Sequence, residues 1–318
     1  MADAPRFCVD ESVLFALSPD PNEAIAALEP LLQLGEVVVN HRGGPPEVVQ
    51  GVYAIQSNIS GRPFVDVLYQ DLLEVDRDFV RRIGVFLDRC APFAAERDDP
   101  IVAIVAVGAI NSTVTSHACE RLVSERTTGN HYYVLLQGSV PDLSGNGTIT
   151  LGDQTVNAFV LHSAENLAKA YRQFVIDGTA TEAEFFHICE EAFPSLIFHR
   201  SVTFKRFSKN YATLIADVVD HLAFLNDEFV ALGIAERWDI YRMVSKARIP
   251  FSEETGNTRK KEKLVKYRRV AFGETRVECT LHTKISRQSD RIHFHAPDNK
   301  VAPGKVIIGV FAEHLPTK

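Results

Sequence analysis

The spacing of apolar residues changes from helical to alternating near the last fifth of the chain. The strongest helical pattern lies between Tyr211 and Leu232, where apolar residues recur every three or four positions and Gly233 follows. After Pro250, apolar and polar positions alternate, as in strands that bury one face. The pattern therefore predicts helices in the middle of the chain and a small sheet at its C-terminal end.

Short end signals predict a further helix and a hairpin. Thr181 and Glu184 form a capping-box pattern ahead of an apolar helical segment that Pro194 follows. Two strand-like segments flank Gly152 and Asp153, a glycine-first pair that favours a two-residue hairpin turn. The first 160 residues are thus predicted to mix helices and strands, and the middle of the chain is predicted to be helical.

Four strand-length segments near the C-terminus predict an antiparallel meander. They read VKYRRVAF, RVECTLHTKI, RIHFH and KVIIGVF, and turn-like residues separate them. The predicted fold class is therefore α+β. A mixed α/β and helical body is expected over residues 1–249, and a small antiparallel β-meander domain over residues 250–318.

Composition and cysteine content indicate an ordinary globular protein. The sequence is 46% hydrophobic and 24% charged. Its five cysteines include no CxxC pair, which suits a reducing compartment better than a disulfide framework. The sequence carries no basic leader before an apolar run, and no apolar run of membrane-spanning length. We expect a cytoplasmic protein with no membrane partner.

The net charge of −7 conceals a strong asymmetry. From Arg237 to Lys318 there are 18 basic and 9 acidic residues, whereas the first 236 residues contain 16 basic and 32 acidic ones. Such a basic tail on an acidic body indicates an anionic partner, and the alternative is attraction between the two parts.

The candidate chemistry is concentrated near the C-terminus, where four of the eleven histidines fall between residues 282 and 314. Strand alternation places His282 and Lys284 on the polar face of one predicted strand. It places Arg291, His293 and His295 on the polar face of the next. The intervening SRQSD is short enough for a hairpin, so the two faces should adjoin and form one exposed cationic patch.

Such a patch suits RNA as a substrate. Lysine and arginine neutralise phosphate oxygens, and histidine moves protons near neutral pH. We predict His282 and His293 as the proton-transfer pair and Lys284 and Arg291 as phosphate ligands, with no metal and no cofactor. Seven further residues are predicted to bind the substrate: His295, His314, Arg259, Lys260, Lys261, Arg268 and Arg269.

The last predicted strand has two different faces. Val306, Ile308 and Val310 continue the core face. Gly309 lies on the opposite face, where the missing side chain is expected to leave room for a substrate backbone.

Several alternatives stay open. Three of the C-terminal histidines could instead bind a metal ion, although the cations on the same face would repel it and the acidic candidates are Glu278 and Glu313. The patch could also be an ordinary solvated surface. A third alternative is a non-enzymatic module that binds nucleic acid or an acidic protein, and a fourth is a structural component of a larger complex.

The C-terminal segment DRIHFHAPDNKVAPGKVIIGVFAEHL resembles the RelE-type toxins, which are ribosome-dependent mRNA interferases. The similarity covers residues 264–318, with Arg291 at the family's strand arginine and His314 at the basic residue after the last strand. RelE toxins are small single domains, and the pair His282 and His293 has no counterpart in them. The resemblance implies an RNA-directed toxin or bacterial defence effector, with the ribosome or a partner protein as further partners. The front part would serve as a regulator, a sensor or a partner-binding body.

Overall fold

The computed structural model describes residues 4–41, 43–95, 99–128, 133–136, 144–177, 180–285, 290–298 and 300–316. The chain divides into two compact units, unit 1 (Met1–Phe174) and unit 2 (Val175–Lys318). Both contain helices and strands, and the predicted α+β class is confirmed. The boundary predicted at residues 249 and 250 lies within unit 2. Among the described helices, none is long and apolar enough to cross a membrane.

Unit 1 is built on an eight-stranded mixed sheet. Its strands are β1 (Arg6–Val9), β2 (Glu47–Val49), β3 (Ala91–Phe93), β4 (Val102–Val107), β5 (Ile110–Thr115), β6 (Tyr133–Leu136), β7 (Gly145–Leu151) and β8 (Gln154–Leu161). The spatial order is β3-β2-β1-β6-β8-β7-β4-β5. The first five strands in this order run parallel, and β8, β7, β4 and β5 are joined antiparallel. The hairpin predicted at Gly152 and Asp153 joins β7 to β8, and Gly152 has a φ of +60°.

Helices connect the strands of unit 1. They are α1 (Ser12–Phe15), α2 (Pro21–Val38), α3 (Phe64–Asp66), α4 (Leu73–Val75), α5 (Arg77–Arg89), α6 (His117–Thr128) and α7 (Leu167–Ile176), and a π-helical segment, Val67–Leu72, joins α3 to α4. Side-chain caps set where the two long helices begin: the Asp20 carboxylate accepts hydrogen bonds from backbone N–H groups at the start of α2, and Asp76 does the same for α5.

Unit 2 begins with helices. They are α8 (Glu182–Ala192), α9 (Tyr211–Asp227), α10 (Phe229–Ala235), α11 (Ile240–Lys246), α12 (Gly256–Lys260) and α13 (Glu262–Val265). The capping box of Thr181 and Glu184 is confirmed. The single helix predicted from Tyr211 to Leu232 is wrong, because Glu228 leaves helical geometry and separates α9 from α10.

The described residues of unit 2 also form seven strands: β9 (Leu196–Phe198), β10 (Phe251–Glu253), β11 (Arg269–Phe272), β12 (Thr275–Glu278), β13 (Leu281–Lys284), β14 (Arg291–His295) and β15 (Val306–Ala312). A five-stranded sheet has the order β10-β13-β14-β15-β9, and β11 and β12 form a separate hairpin. The predicted antiparallel meander is present as β13-β14-β15, whereas β9 joins β15 in parallel. Residues 286–289, which include most of the predicted SRQSD turn, lie outside the described residues.

The strand predicted over residues 276–285 is divided in two, because the chain changes its pairing partner at residue 279. The backbone N–H of Cys279 donates to Arg268 O at 2.9 Å, which keeps β12 with its hairpin partner. Thr280 O instead accepts from the N–H of Glu254 at 2.8 Å, which brings the next residues alongside β10. This change of partner lets the hairpin fold onto the sheet to which β13 belongs.

Both faces of the five-stranded sheet are covered. On one face, the ring of Phe294 packs against Phe229 and Phe251 with centroids 5.1 and 6.3 Å away. On the other face, which carries His293, residues of the β11–β12 hairpin pack on β15. They form a buried cluster of Val270, Val277, Cys279, Ile307, Val310, Ala312 and Leu315. The prediction of an exposed polar face is therefore wrong at the centre of the sheet.

A β-bulge places Gly309 against the hairpin. His293 is paired with Val310 and Phe294 with Ile308, so Gly309 is an extra residue in β15. The expectation that Val310 shares a face with Ile308 is therefore wrong. The space beside Gly309 is occupied by Cys279 Sγ, which a Cβ at Gly309 would overlap, and by Val270. The space expected for a substrate backbone is thus filled by the protein's own core.

Replacing Gly309 by alanine should destabilise unit 2 by about 1–3 kcal/mol, the usual cost of overpacking a core. The double variant Gly309→Ala/Cys279→Ala should recover part of this loss, since it removes the sulfur that the new methyl group meets. The free energy of unfolding of the two single variants and the double variant can be compared by monitoring the fluorescence of Trp238, the single tryptophan and a residue of unit 2. Strictly additive losses would contradict the proposed contact.

Candidate active site in unit 2

His282 and His293 lie side by side at the centre of the five-stranded sheet. His282 is in β13 and His293 is in β14, and the two are direct register partners. Their ring centroids are 5.2 Å apart. On the other side of His282, β10 places Ser252 in register, and its hydroxyl lies 3.1 Å from His282 Nε2. The two histidines predicted as a pair are thus adjacent.

A carboxylate and a guanidinium complete the cluster. Glu254, just after β10, points Oε1 toward both imidazoles, 3.6 Å from His282 Nδ1 and 3.9 Å from His293 Nδ1. Arg268 Nε donates to the same oxygen at 2.8 Å. Arg268 Nη1 also donates to the carbonyl groups of Leu264 and Pro316. Glu254, Arg268, His282 and His293 are called the central cluster below.

The central cluster is buried. Arg268 and His293 have an exposed fraction of 0%, and Glu254 and His282 of 5%. Burial is the main cause that lowers the pKa of His282 to about 3, and the nearby cations Arg291 and Lys284 lower it further. Burial, and then His282 and Arg268, also hold the pKa of His293 well below its usual range. Both imidazoles are therefore neutral at physiological pH.

Neutral imidazoles carry a lone pair that can accept a proton or bind a metal ion. Within the described residues, His282 Nδ1 has no hydrogen-bond partner, and neither ring nitrogen of His293 makes a hydrogen bond of normal geometry, although the Cys279 backbone acts on this imidazole. A buried polar atom in this state needs a physical explanation, and a bound water or ion or a catalytic role is one such explanation. The arrangement thus combines available imidazole nitrogens with one oriented carboxylate.

The other predicted catalytic residues lie at the edge of the cluster. Lys284 and Arg291 are register partners one step further along β13 and β14. Lys284 is exposed and Arg291 is half-buried. His295 is partly buried, with Nδ1 2.5 Å from Ala296 O, and His314 is exposed after β15. The structure therefore supplies cations beside the buried pair.

The predicted basic approach divides into three groups. Lys260 and Lys261 are exposed, and no ion pair among the described residues involves them. Arg259 pairs with Glu253, and Arg269 pairs with Glu262 and Glu278. The third group is Arg268, whose interpretation as a surface residue is wrong because its guanidinium is held inside unit 2 by Glu254.

Sequence reasoning missed Glu254, because SEETGNTRKKEK reads as a polar, exposed loop. The segment in fact starts with β10 and continues into α12, where Thr255 caps the helix by accepting from Thr258 N–H. The Thr255-x-x-Thr258 cap and the apolar Phe251 before it are signals that could have indicated order here. Nothing in the local pattern indicates that Glu254 faces two histidines some thirty to forty residues away.

A second polar region lies at the carboxyl end of β1 in unit 1. Asp10 and Glu11 are both buried, and Glu11 accepts hydrogen bonds from the Ser116 hydroxyl and the His117 backbone N–H at the start of α6. A cleft of about 580 Å³, lined in part by Asp99 and His117, opens nearby. In the sheet, β2 lies on one side of β1 and β6 lies on the other, so the strand order reverses at β1. Open α/β sheets bind ligands at the carboxyl ends of the strands where this reversal occurs. This region was not among the predicted sites, although an acidic pair directly after an apolar strand is its signal.

No protein-family model, curated protein or solved structure matches this chain. The resemblance to RelE-type toxins therefore stays a prediction from the C-terminal residues.

Proposed function

We propose that the protein is an RNA-directed effector, in which unit 2 binds RNA and cleaves it at the central cluster. The observation that carries the proposal is the His282–His293 pair, adjacent in register, with a buried carboxylate on one side and cations at its edge. Lysine and arginine at the edge suit a phosphodiester, and neutral imidazoles suit the removal of a proton from a 2′-hydroxyl.

The leading form of the reaction needs no metal ion. A histidine accepts the proton of the 2′-hydroxyl as the 2′ oxygen attacks phosphorus; the bond from phosphorus to the 5′ oxygen breaks, and that oxygen takes a proton from water. Lys284 and Arg291 stabilise the charge on the phosphate. The low pKa values keep both imidazoles unprotonated in the buried site, but they also make them weak bases, so the accepting role requires that the site open and the pKa of the accepting histidine rise. Because His293 has no exposed surface, RNA can reach the pair only when the covering residues move aside.

The test is incubation of the purified protein with labelled single-stranded RNA, with and without EDTA and with and without ribosomes. We expect cleavage by the natural protein and a loss of about 100-fold or more in His282→Ala, the usual contribution of an acid–base group. Arg291→Ala should also lose activity, and His199→Ala, a half-buried histidine just after β9 and outside the central cluster, is the histidine control. Undiminished cleavage by both His282→Ala and Arg291→Ala would exclude this site.

A second candidate function is a non-enzymatic component that binds nucleic acid or a partner protein. The burial of both histidines favours it, since a binding surface needs only the exposed cations. It predicts RNA binding without turnover, with an affinity that falls steeply as salt rises. A native gel of the same samples at two salt concentrations distinguishes this candidate from a protein that does not bind RNA.

A further inference from the structure

We propose that Glu254, His282 and His293 form a binding site for one divalent first-row transition metal ion such as Zn²⁺. The three residues offer one carboxylate oxygen and two imidazole nitrogens, all within 4.8 Å of one another and all buried. Two histidines and one glutamate are also the ligand set of open catalytic zinc sites. The sequence alone favoured other acidic partners, Glu278 and Glu313.

The spacing of the ligand atoms fits such an ion. Zinc binds nitrogen and oxygen at about 2.0–2.1 Å in tetrahedral geometry, which places two ligand atoms roughly 3.3 Å apart. Glu254 Oε1 lies 3.6 Å from His282 Nδ1 and 3.9 Å from His293 Nδ1. Shifts of a few tenths of an ångström would bring these two distances to the required value. The two imidazole nitrogens, which lie within 4.8 Å of each other, would have to close by up to about 1.5 Å through side-chain rotation.

Residues around the three ligands orient them through hydrogen bonds and ion pairs, as the hydrogen-bond partners of metal ligands do in known metal sites. Ser252 Oγ lies 3.1 Å from His282 Nε2, so it can accept the proton of that nitrogen and leave the lone pair on Nδ1. Arg268 holds the Glu254 carboxylate in place. His293 is fully buried, neither of its nitrogens makes a hydrogen bond of normal geometry within the described residues, and its Nδ1 faces the same oxygen.

Three cations near the site modify its chemistry. Arg268, Lys284 and Arg291 all act on His282 electrostatically and oppose the binding of a cation. The same charges favour ionisation of a water molecule bound to the ion, because they stabilise hydroxide. Binding of the ion does not depend on the proposed function. A role for bound hydroxide in RNA cleavage rests on it and would replace the metal-free form, because a histidine whose lone pair binds the ion cannot also accept the proton of the 2′-hydroxyl.

The experiment is a titration of EDTA-treated, dialysed protein with Co²⁺, followed by its visible spectrum and by metal analysis after gel filtration. We expect one Co²⁺ per chain with the absorption of a nitrogen-ligated ion, and displacement by Zn²⁺. Glu254→Gln and His293→Gln should weaken binding by 100-fold or more. Ser252→Ala should weaken it by about 10–100-fold, as the loss of an outer partner does.

Two matched controls should bind Co²⁺ like the natural protein: Glu253→Gln, the neighbouring glutamate, and His199→Ala. The fluorescence of Trp238 reports whether each variant is folded, and Ser252→Ala, which touches no buried charge directly, decides the outcome if a ligand variant does not fold. Failure of the natural protein to retain Co²⁺, or equal binding by Ser252→Ala and the controls, overturns the metal site. RNA cleavage that survives EDTA would leave the proposed function intact even then, and metal binding without cleavage would leave only the metal site.

Discussion

Arg268→Met should destabilise unit 2 by about 3–5 kcal/mol, the usual cost of removing one partner from a buried ion pair. Both partners are buried, since the side chains of Arg268 and Glu254 have exposed fractions of 0% and 3%. Methionine fills a similar volume, but it leaves the Glu254 carboxylate without its counter-charge. It also leaves the carbonyl groups of Leu264 and Pro316 without their donor.

The next residue provides the matched control. Arg269 pairs with Glu262 and Glu278, but its side chain is 23% exposed and these carboxylates lie at the surface. Arg269→Met should therefore cost about 1 kcal/mol or less. Urea unfolding followed by Trp238 fluorescence compares the two variants. Arg268→Met leaves the buried Glu254 charge unpaired, and Glu254→Gln removes that charge, so the double variant should regain part of the lost stability. Equal destabilisation by Arg268→Met and Arg269→Met would contradict the buried ion pair.

Glu11→Gln should change the pH dependence of the stability of unit 1. Burial, and then the neighbouring Asp10, raise the pKa of Glu11 from 4.5 to about 8. The folded state therefore keeps a proton that the unfolded state releases above pH 4.5. The stability contributed by Glu11 is full below pH 4.5 and is lost as the pH rises toward 8.

At about 1.4 kcal/mol for each pKa unit, the rise from 4.5 to about 8 corresponds to about 5 kcal/mol over the whole interval. Glutamine does not titrate, so the free energy of unfolding of Glu11→Gln should rise relative to the natural protein between pH 5 and 8. Hydrogen exchange of β1 peptides measures this, because comparison of the two proteins at one pH cancels the chemical exchange rate. The same substitution at exposed Glu74 is the control, and a difference that does not change with pH would refute the buried, protonated Glu11.

Several elements of the fold could be predicted because their signals are local. The capping box at Thr181 and Glu184 and the turn at Gly152 each depend on residues only a few positions apart. The alternation in RIHFH likewise predicts that His293 and Phe294 occupy opposite faces of β14. The juxtaposition of His282 and His293 follows from that alternation and a short connection.

Burial of the histidine face could not be predicted in this way. Alternation identifies a polar face, but whether that face meets solvent depends on what packs on it. The β11–β12 hairpin covers it because the chain changes partner at Cys279 and because Gly309 leaves space for the cysteine. Neither event has a signal within one strand.

The amino-acid sequence by itself determined the α+β class, most element types and the pairing of His282 with His293, since these depend on periodicity and short connections. Only the tertiary structure decided that Glu254 and Arg268 join them inside the core. Glu254 and Arg268 come from segments distant in sequence from the two histidines. Burial lowers the pKa of each imidazole. Burial also removes water from the charges of Glu254 and Arg268, so each of them needs the other as its counter-charge. The sequence pattern predicted an exposed cationic surface. In the folded protein the same histidines are buried and neutral, and they lie beside the Glu254 carboxylate, whose charge Arg268 neutralises.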